Sequence, residues 1–201
     1  MLKSLLLGTR NPGKIHEIKL ILGDLALELC SLQQFENVEV AEENADTYAE
    51  NAIAKARFYA RETGMLALAD DSGLEVEALA GAPGVLSARY AGEDATDADR
   101  RELLLTELAK TGRYNRRAQF VCAIAIASVD GEVLNVSEGI CAGTITFAPR
   151  GDSGFGYDPL FVPEGYNQTF AELADEVKNR ISHRARALIK LRGFLSNSVS
   201  R

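Results

Sequence analysis

Apolar positions near the amino terminus cluster in two short, mainly apolar segments with a helical repeat between them. Residues 2–7 and 25–30 are short and apolar, which is typical of buried strands. Residues 14–22 carry apolar side chains at helical spacing among polar ones and predict an amphipathic helix. The chain is therefore expected to begin as strand, helix and strand.

Capping residues indicate where later helices begin. In residues 47–50, a threonine is followed three residues later by glutamate, a capping box that opens a helix stopped by Gly64. Residues 169–172 repeat the same box. Ser182 is expected to cap a last helix over residues 183–195.

Between these helices, short apolar runs alternate with turn signals. Residues 65–69 predict a buried strand that runs into a polar loop at residues 70–73, and residues 81–84 predict a turn. Residues 97–110 predict a third long helix, ended by Gly112.

A β-hairpin is predicted in the second half of the chain. Residues 120–129 and 132–136 are apolar runs separated by an Asp-Gly turn. A further strand is expected around residues 143–147, and the three glycines of residues 150–157 predict a loop. Strands and helices alternate early in the chain and a hairpin follows later, which indicates an α/β fold with a mixed sheet.

Composition and charge exclude several classes of protein. The 201 residues carry 22 Lys and Arg against 29 Asp and Glu, a net charge of −7. This balance argues against non-specific binding to nucleic acid or to an anionic membrane. The amino-terminal run is too short for a signal peptide, and no run approaches the roughly 20 residues of a membrane span. Three widely spaced cysteines predict neither a disulfide framework nor a zinc site. We therefore expect a cytoplasmic location.

The segment Gly8 to Lys14 reads G-x-x-x-x-G-K between a predicted strand and a predicted helix. It is a P-loop without its last letter, because Ile15 stands where Ser or Thr would hold Mg²⁺. Backbone amides at a helix start together with a lysine still form an anion site. A phosphate-binding loop and a plain strand-to-helix turn both remain open.

Two adjacent carboxylates, Asp70 and Asp71, follow an apolar strand. Mg²⁺ prefers one or two carboxylates together with phosphate oxygens, so the pair is a candidate metal site. A solvated turn is the alternative. The pair Glu42-Glu43 is either a further metal ligand or a surface feature.

Three more clusters have both functional and structural interpretations. Lys55 lies one helical turn after Asn51, so the two share a face that is either functional or merely solvated. The glycines of residues 154–159 could present an aromatic ring to a base, or the ring could pack into the core. Residues 178–184 are basic and are either an anion-binding segment or a charged helix entry, whereas His16 is interpreted as a surface residue.

Taken together, these clusters resemble the motifs of the inosine triphosphate pyrophosphatase family. Seven motifs occur in order over almost the whole chain, and each is weak alone. They are Thr9-x-Asn11-x-x-Lys14, Glu50-Asn51-Ala52-x-x-Lys55-Ala56, Ala69-Asp70-Asp71-Ser72-Gly73-Leu74, Gly81-Ala82-Pro83-Gly84, Ser87-Ala88-Arg89-Tyr90, Phe155-Gly156-Tyr157-Asp158-Pro159 and Ser182-His183-Arg184.

The resemblance implies an elongated mixed sheet flanked by helices, a single domain over residues 1–201 with two lobes and the active site in the cleft between them. It also implies a Mg²⁺-dependent homodimer that hydrolyses deaminated purine nucleoside triphosphates. The substrates would be ITP, XTP and their deoxy forms, cleaved between the α- and β-phosphates to a monophosphate and pyrophosphate.

Site residues carried over from the family follow its motifs. Asp71 corresponds to the catalytic base and to a metal ligand, and Asp70 and Glu42 correspond to further metal-linked acids. The positions that correspond to substrate contacts are Thr9, Arg10, Asn11, Pro12, Gly13, Lys14, Lys55, Ser72, Phe155, Gly156, Tyr157, Asp158, Lys178, His183 and Arg184.

Several functions compete with this interpretation. A P-loop phosphotransferase or ATPase would release phosphate, and Ile15 speaks against it. A relative acting on methylated or pyrimidine nucleotides would not need residues 155–158 and 182–184 as they stand. A regulatory module would bind a triphosphate without turnover, which the paired Asp70 and Asp71 make less favourable.

Overall fold

The computed structural model describes residues 4–35, 37–112 and 114–199. The helices and strands follow the predicted order, and the structure adds a short strand at Phe161–Pro163 and a helix at Asp175–Ile181. The strands are β1 Ser4–Leu7, β2 Glu28–Ser31, β3 Ala67–Val76, β4 Arg117–Ala127, β5 Val133–Ile145 and β6 Phe161–Pro163, and the helices are α1 Pro12–Leu22, α2 Tyr48–Thr63, α3 Asp97–Lys110, α4 Asp175–Ile181 and α5 His183–Val199.

The six strands form one sheet in the order β2-β1-β3-β4-β5-β6. Strand β1 is parallel to both β2 and β3, whereas β5 and β6 are antiparallel. A mixed sheet with helices around it confirms the predicted fold class.

The described residues divide into two compact units. The first unit comes from Met1–Asp71, Cys122–Gly139 and His183–Arg201, and the second from Ser72–Val121 and Ile140–Ser182. Strands β3, β4 and β5 each contribute residues to both units.

Each unit has its own apolar core. In the first unit, leucines of β1 pack with Ile18 of α1, Ile124 of β4 and Leu188 of α5. The second unit is more aromatic, with the rings of Phe120 and Phe170 lying 4.7 Å and 5.2 Å from the ring of Phe161. Offset rings at such distances add to the stabilisation from area burial.

Helix ends are set by local side chains. Thr47 caps α2 by accepting a hydrogen bond from the Glu50 amide, and α2 ends at Gly64 in a left-handed conformation. Helix α3 begins after Thr96, whose capping box with Asp99 is complete. Helix α1 begins two residues before the prediction, because Asn11 caps it and Pro12 opens it.

Three strand predictions are wrong in extent. Residues 70–73 are not a polar loop, since β3 continues through them to Val76. Residues 143–145 do not form a separate strand but are the last part of β5, and residues 146–147 lie outside it. Strand β2 begins at Glu28 rather than residue 25, because the preceding residues turn the chain back.

The predicted box at residues 169–172 forms only a turn. Glu172 accepts a hydrogen bond from the Thr169 amide, yet the next helix, α4, begins at Asp175. Residues 2 and 3 of the first predicted strand lie outside the described residues.

The three cysteines, Cys30, Cys122 and Cys141, are buried and form no disulfide among the described residues. Burial raises the pKa of the Cys122 thiol to about 12. Within the part of the chain that the structure describes, no helix is long and apolar enough to cross a membrane.

Candidate active site

The loop between β1 and α1 is shaped by close backbone packing and by its own side chains. A Cβ on Gly8 would lie 2.8 Å from the Tyr59 ring and 3.0 Å from the Leu68 carbonyl oxygen, so only glycine fits there. The Asn11 side chain accepts from the Lys14 amide at 3.1 Å, and Thr9 Oγ1 accepts from the Asn11 amide at 3.2 Å. Residues 9–14 are exposed or half-buried, so the loop is open to an anion.

Lys14 reaches from this loop to the first of the paired carboxylates. Its Nζ lies 3.0 Å from Oδ2 of Asp70, a residue only 1% exposed. Arg184, the second residue of α5, donates to the same oxygen through Nε and Nη2 at 3.2 and 3.1 Å. Residues far apart in sequence therefore place two cations on one buried carboxylate.

Arg184 is itself fully buried and also donates through Nη1 to Glu17 of α1. Burial alone would raise the pKa of Asp70, but the Lys14 and Arg184 cations outweigh it and hold that pKa well below its ordinary value. Burial would lower the pKa of Arg184, yet Asp70 and Glu17 raise it. Asp70 and Arg184 are thus both charged in the folded protein.

Asp71 has a different environment from its neighbour. Its Oδ2 accepts from Nδ2 of Asn51 at 3.0 Å, and its Oδ1 lies 3.5 Å from Nζ of Lys55. Burial raises the pKa of Asp71, and the Glu43 carboxylate raises it further while Lys55 opposes both. Adjacent positions on one strand therefore hold one strongly ionised carboxylate and one more basic carboxylate.

Helix α2 organises the residues around Asp71. Asn51 is 1% exposed and also bonds the backbone of Ala45, whose amide donates to Asn51 Oδ1 at 2.9 Å. Lys55 pairs with Glu43 at 2.5 Å. Burial would lower the pKa of Lys55, but the surrounding carboxylates of Asp71, Asp70 and Glu43 raise it, so Lys55 stays charged.

The residues present fit a magnesium ion in part. Asp71 and Glu43 both face Lys55, which shows that two carboxylates can share one cation here. The Oδ1 of Asp70 is buried without a hydrogen-bond partner among the described residues. Glu42 instead accepts from Asn44 Nδ2 at 2.8 Å, and no group of three or more metal-ligating residues occurs in the described ranges. One or two carboxylates would suffice where phosphate oxygens complete the shell.

Other predicted residues of the first unit lie at the edges of this cluster. Arg10 donates to the Val38 carbonyl oxygen, and Pro12 and Gly13 are the first two residues of α1. His183 is buried as the first residue of α5, directly before Arg184.

The second unit brings together its own predicted residues. Asp158 Oδ2 accepts from Lys178 Nζ at 2.6 Å and from the Phe155 amide at 2.9 Å, with both charged residues buried. The Lys178 ammonium lies 5.0 Å from the Phe155 ring centre, within cation–π range. Tyr157 is buried with its hydroxyl donating to the Ser87 carbonyl at 3.1 Å, and burial raises its pKa. Ser72 lies half-buried in β3 directly after Asp71.

Three residues in the first unit lie outside the predicted set of site residues, although the sequence left open a role for Glu43 and Asn51. Asn51 and Glu43 contact Asp71 and Lys55, and Glu17 pairs with Arg184. The spacing of Lys14 and Glu17, three residues apart on one helix, is the signal that could have indicated Glu17. Glu43 carries no local signal that separates it from Glu42.

A strand-to-helix loop with a lysine beside paired carboxylates is a candidate anion-binding site in an α/β protein. The chain belongs to the Ham1 family, whose model matches residues 5–194.

Full-length relatives agree with this assignment. The chain is 50% identical over 192 residues to the dITP/XTP pyrophosphatase of Desulfotalea psychrophila, covering 96% of this chain and 85% of the relative. It is 43% identical over 197 residues to the dITP/XTP pyrophosphatase of Bacillus licheniformis, covering 98% and 100% of the two chains. The structure of a HAM1 protein from Coxiella burnetii superposes with a TM-score of 0.88 at 42% identity, covering 98% of this chain and 100% of that one.

Proposed function

We propose that this chain hydrolyses deaminated purine nucleoside triphosphates, ITP, XTP and their deoxy forms, to the monophosphate and pyrophosphate. The observation that carries the proposal is an exposed strand-to-helix loop whose lysine contacts one of two adjacent carboxylates. Of these two, Asp70 has a lowered pKa and Asp71 a raised pKa. The names of the full-length relatives support the substrate class and the reaction. Such an enzyme removes deaminated nucleotides from the nucleotide pool.

The triphosphate would be bound by the β1–α1 loop. The loop is open to solvent at the start of α1, and Thr9 and Asn11 hold its shape by accepting hydrogen bonds from the Asn11 and Lys14 amides. Lys14 and Lys55 would neutralise phosphate oxygens, each exchanging part of its present ion pair for the substrate. Lys55 contacts two carboxylates, Glu43 and Asp71, so one of them can keep it charged and directed.

Asp71 would position the attacking water and take up its proton during attack on the α-phosphorus. The contact from Asn51 fixes the carboxylate, and its raised pKa makes it a stronger base than Asp70. Mg²⁺, when bound, would supply charge stabilisation on the phosphate and pyrophosphate oxygens. Asp71 would hold it, with Asp70 Oδ1 and Glu42 as the other proposed ligands.

The purine base would be recognised by the Phe155–Asp158 loop with Lys178, and by His183 and Arg184. A buried donor directed at a 6-keto oxygen rejects a 6-amino base strongly, because the donor is otherwise left unpaired. Lys178 pairs with Asp158 beside the Phe155 ring, and its ammonium has three N–H donors, so a further donor would serve a base oxygen. Arg184 contacts Asp70 and Glu17, which supports a role in organising the site as well.

We further propose that the protein acts as a homodimer in the cytoplasm, as the family resemblance implies. Light scattering of the purified protein in solution measures the oligomeric state, and a monomer at micromolar concentration would contradict the homodimer.

The direct test is to incubate the protein with Mg²⁺ and ITP, with ATP and GTP in parallel, and to identify the released anion. Pyrophosphate released from ITP and little from ATP or GTP is the expected result. Release of phosphate, or equal use of ATP, would instead support a P-loop enzyme. Binding of ITP with no turnover of any nucleotide would support the regulatory module.

Asp71→Asn tests the catalytic assignment. We expect turnover to fall by at least about 100-fold, because the base and a ligand charge are lost together. Asp130→Asn, the same change in an exposed turn, is the matched control and should retain full activity. Near-normal activity of Asp71→Asn would overturn the assignment.

A further inference from the structure

The start of α3 contacts the glycine-rich loop of the second unit at the backbone of one residue, Gly156. Asp97 Oδ2 accepts a hydrogen bond from the Gly156 amide at 2.7 Å. Arg101, one turn later, donates through Nη1 to the Gly156 carbonyl oxygen at 2.7 Å. Both polar backbone atoms of Gly156 are therefore bound by charged side chains of one helix.

These contacts fix the backbone on both sides of Phe155. The Phe155 amide donates to Asp158 Oδ2 at 2.9 Å, and the amide of the next residue, Gly156, donates to Asp97. The loop approaches Asp158 closely, since a Cβ on Gly154 would lie 2.3 Å from Asp158 Oδ2. With both flanking peptides held, the direction in which the Phe155 ring leaves the backbone is determined.

Asp97 is itself held in place. Its Oδ1 pairs with Nη1 of Arg100 at 2.7 Å, which leaves Oδ2 directed at Gly156. The cap of α3 does not depend on Asp97, because the capping box joins Thr96 to Asp99. Charge-assisted hydrogen bonds of this kind are about twice as strong as neutral ones. The contact between Asp97 and Gly156 is therefore separable from the stability of the helix end.

We propose that Asp97 and Arg101 are positioning residues of the base-binding loop: they hold the amide and the carbonyl of Gly156 so that the Phe155 ring stays in place beside Lys178. The proposal rests on the proposed function, in which this loop contacts the purine. Asp97 and Arg101 act through Gly156 and are not assigned any contact with substrate.

The first test needs no substrate. The chain contains no tryptophan, so Phe155→Trp introduces a single tryptophan, which can be excited at wavelengths where the six tyrosines do not absorb. Adding Asp97→Ala should lower the steady-state anisotropy of that tryptophan and increase its quenching by acrylamide. Asp99→Ala in the same background is the matched control, because it breaks the capping box of α3 without touching Gly156. Equal changes in both variants would overturn the proposal, since the effect would then come from the helix end.

The second test is kinetic and uses the chain with Phe155 intact. Asp97→Ala should raise KM for ITP about tenfold and change kcat by less than about twofold, because misplaced base contacts weaken ground-state and transition-state binding alike. Asp97→Asn keeps an oxygen acceptor for the Gly156 amide, and its KM should lie near that of the wild type. If Asn were as harmful as Ala, the negative charge and not the hydrogen bond would matter, and the proposal would fail.

The two tests separate this proposal from the proposed function. A wild-type protein that hydrolyses none of the nucleotides contradicts the proposed function, and the anisotropy comparison still decides whether Asp97 holds the loop. A wild-type protein that hydrolyses ITP while Asp97→Ala leaves both KM and anisotropy unchanged contradicts the positioning role alone.

Discussion

The two units bury charged residues in different ways. In the first unit, Arg184 lies between two buried carboxylates, Asp70 and Glu17, that come from different elements. In the second unit, Lys178 pairs with the carboxylate of Asp158, which also accepts from the nearby Phe155 amide. In the first unit, the ion pairs of Arg184 join residues that are far apart in the sequence. In the second unit, Asp158 also accepts a hydrogen bond from an amide only three residues away. The first arrangement should depend far more on each charge than the second.

Arg184→Ala should have the largest effect on stability. It leaves two buried carboxylates without their shared cation, a change that typically costs about 3–5 kcal/mol. Denaturant unfolding followed by circular dichroism measures the loss. Arg192→Ala is the control on the same helix, because its ion pair with Asp24 is exposed and should contribute little. A similar loss in both variants would break the comparison.

Lys178→Met should destabilise less, by about 2 to 3 kcal/mol, because Asp158 keeps its hydrogen bond from the Phe155 amide. Methionine retains an apolar stem beside the Phe155 and Phe170 rings. The same unfolding experiment measures the change, and Lys110→Met, in an exposed pair with Glu107, is the control. A loss as large as that of Arg184→Ala would show that the two units depend equally on their charges.

Asn51→Ala sharpens the comparison by removing a neutral partner from the first unit. We expect a loss of about 2 kcal/mol, since the Asp71 carboxylate and the Ala45 backbone both lose a buried bond. Turnover of ITP should fall more than substrate binding, because Asp71 is no longer held. Asn167→Ala, at an exposed loop position, should leave both unchanged. Unaltered turnover in Asn51→Ala would mean that Asp71 needs no such support.

The smallest effect is expected from acid. The lowered pKa of Asp70 stabilises the folded state at any pH above the ordinary aspartate pKa of about 4, and this contribution is lost as the pH falls below that value. The wild type should therefore lose stability more steeply than Asp70→Asn on acidification, by at most about 1.4 kcal/mol per pH unit. Urea unfolding at pH values between 5 and 2.5, spaced by roughly half a unit, measures both slopes. Parallel slopes would mean that Asp70 is not ionised as described.

Much of the fold could be predicted because its signals are local. Thr47 and Gly64 delimit α2, and residues 97–110 were predicted as a helix with the bounds observed for α3. The prediction failed where a strand contains polar residues: residues 70–73 were predicted as a loop but are part of β3. An aspartate is stable in a buried strand only with its cations, and those of Asp70 come from α1 and α5, 56 residues before it and 114 residues after it.

The sequence by itself determined the order of the elements, the helix caps and the motifs that place the chain in its family, because caps and turns depend on residues a few positions apart. Only the tertiary structure decided that Asp70 is held by Lys14 and Arg184, that Glu43 rather than Glu42 meets Lys55, and that Asp97 and Arg101 hold Gly156. These choices depend on which side chains meet after the sheet has formed. The pKa difference between Asp70 and Asp71 has the same origin, since adjacent residues of one strand face different neighbours.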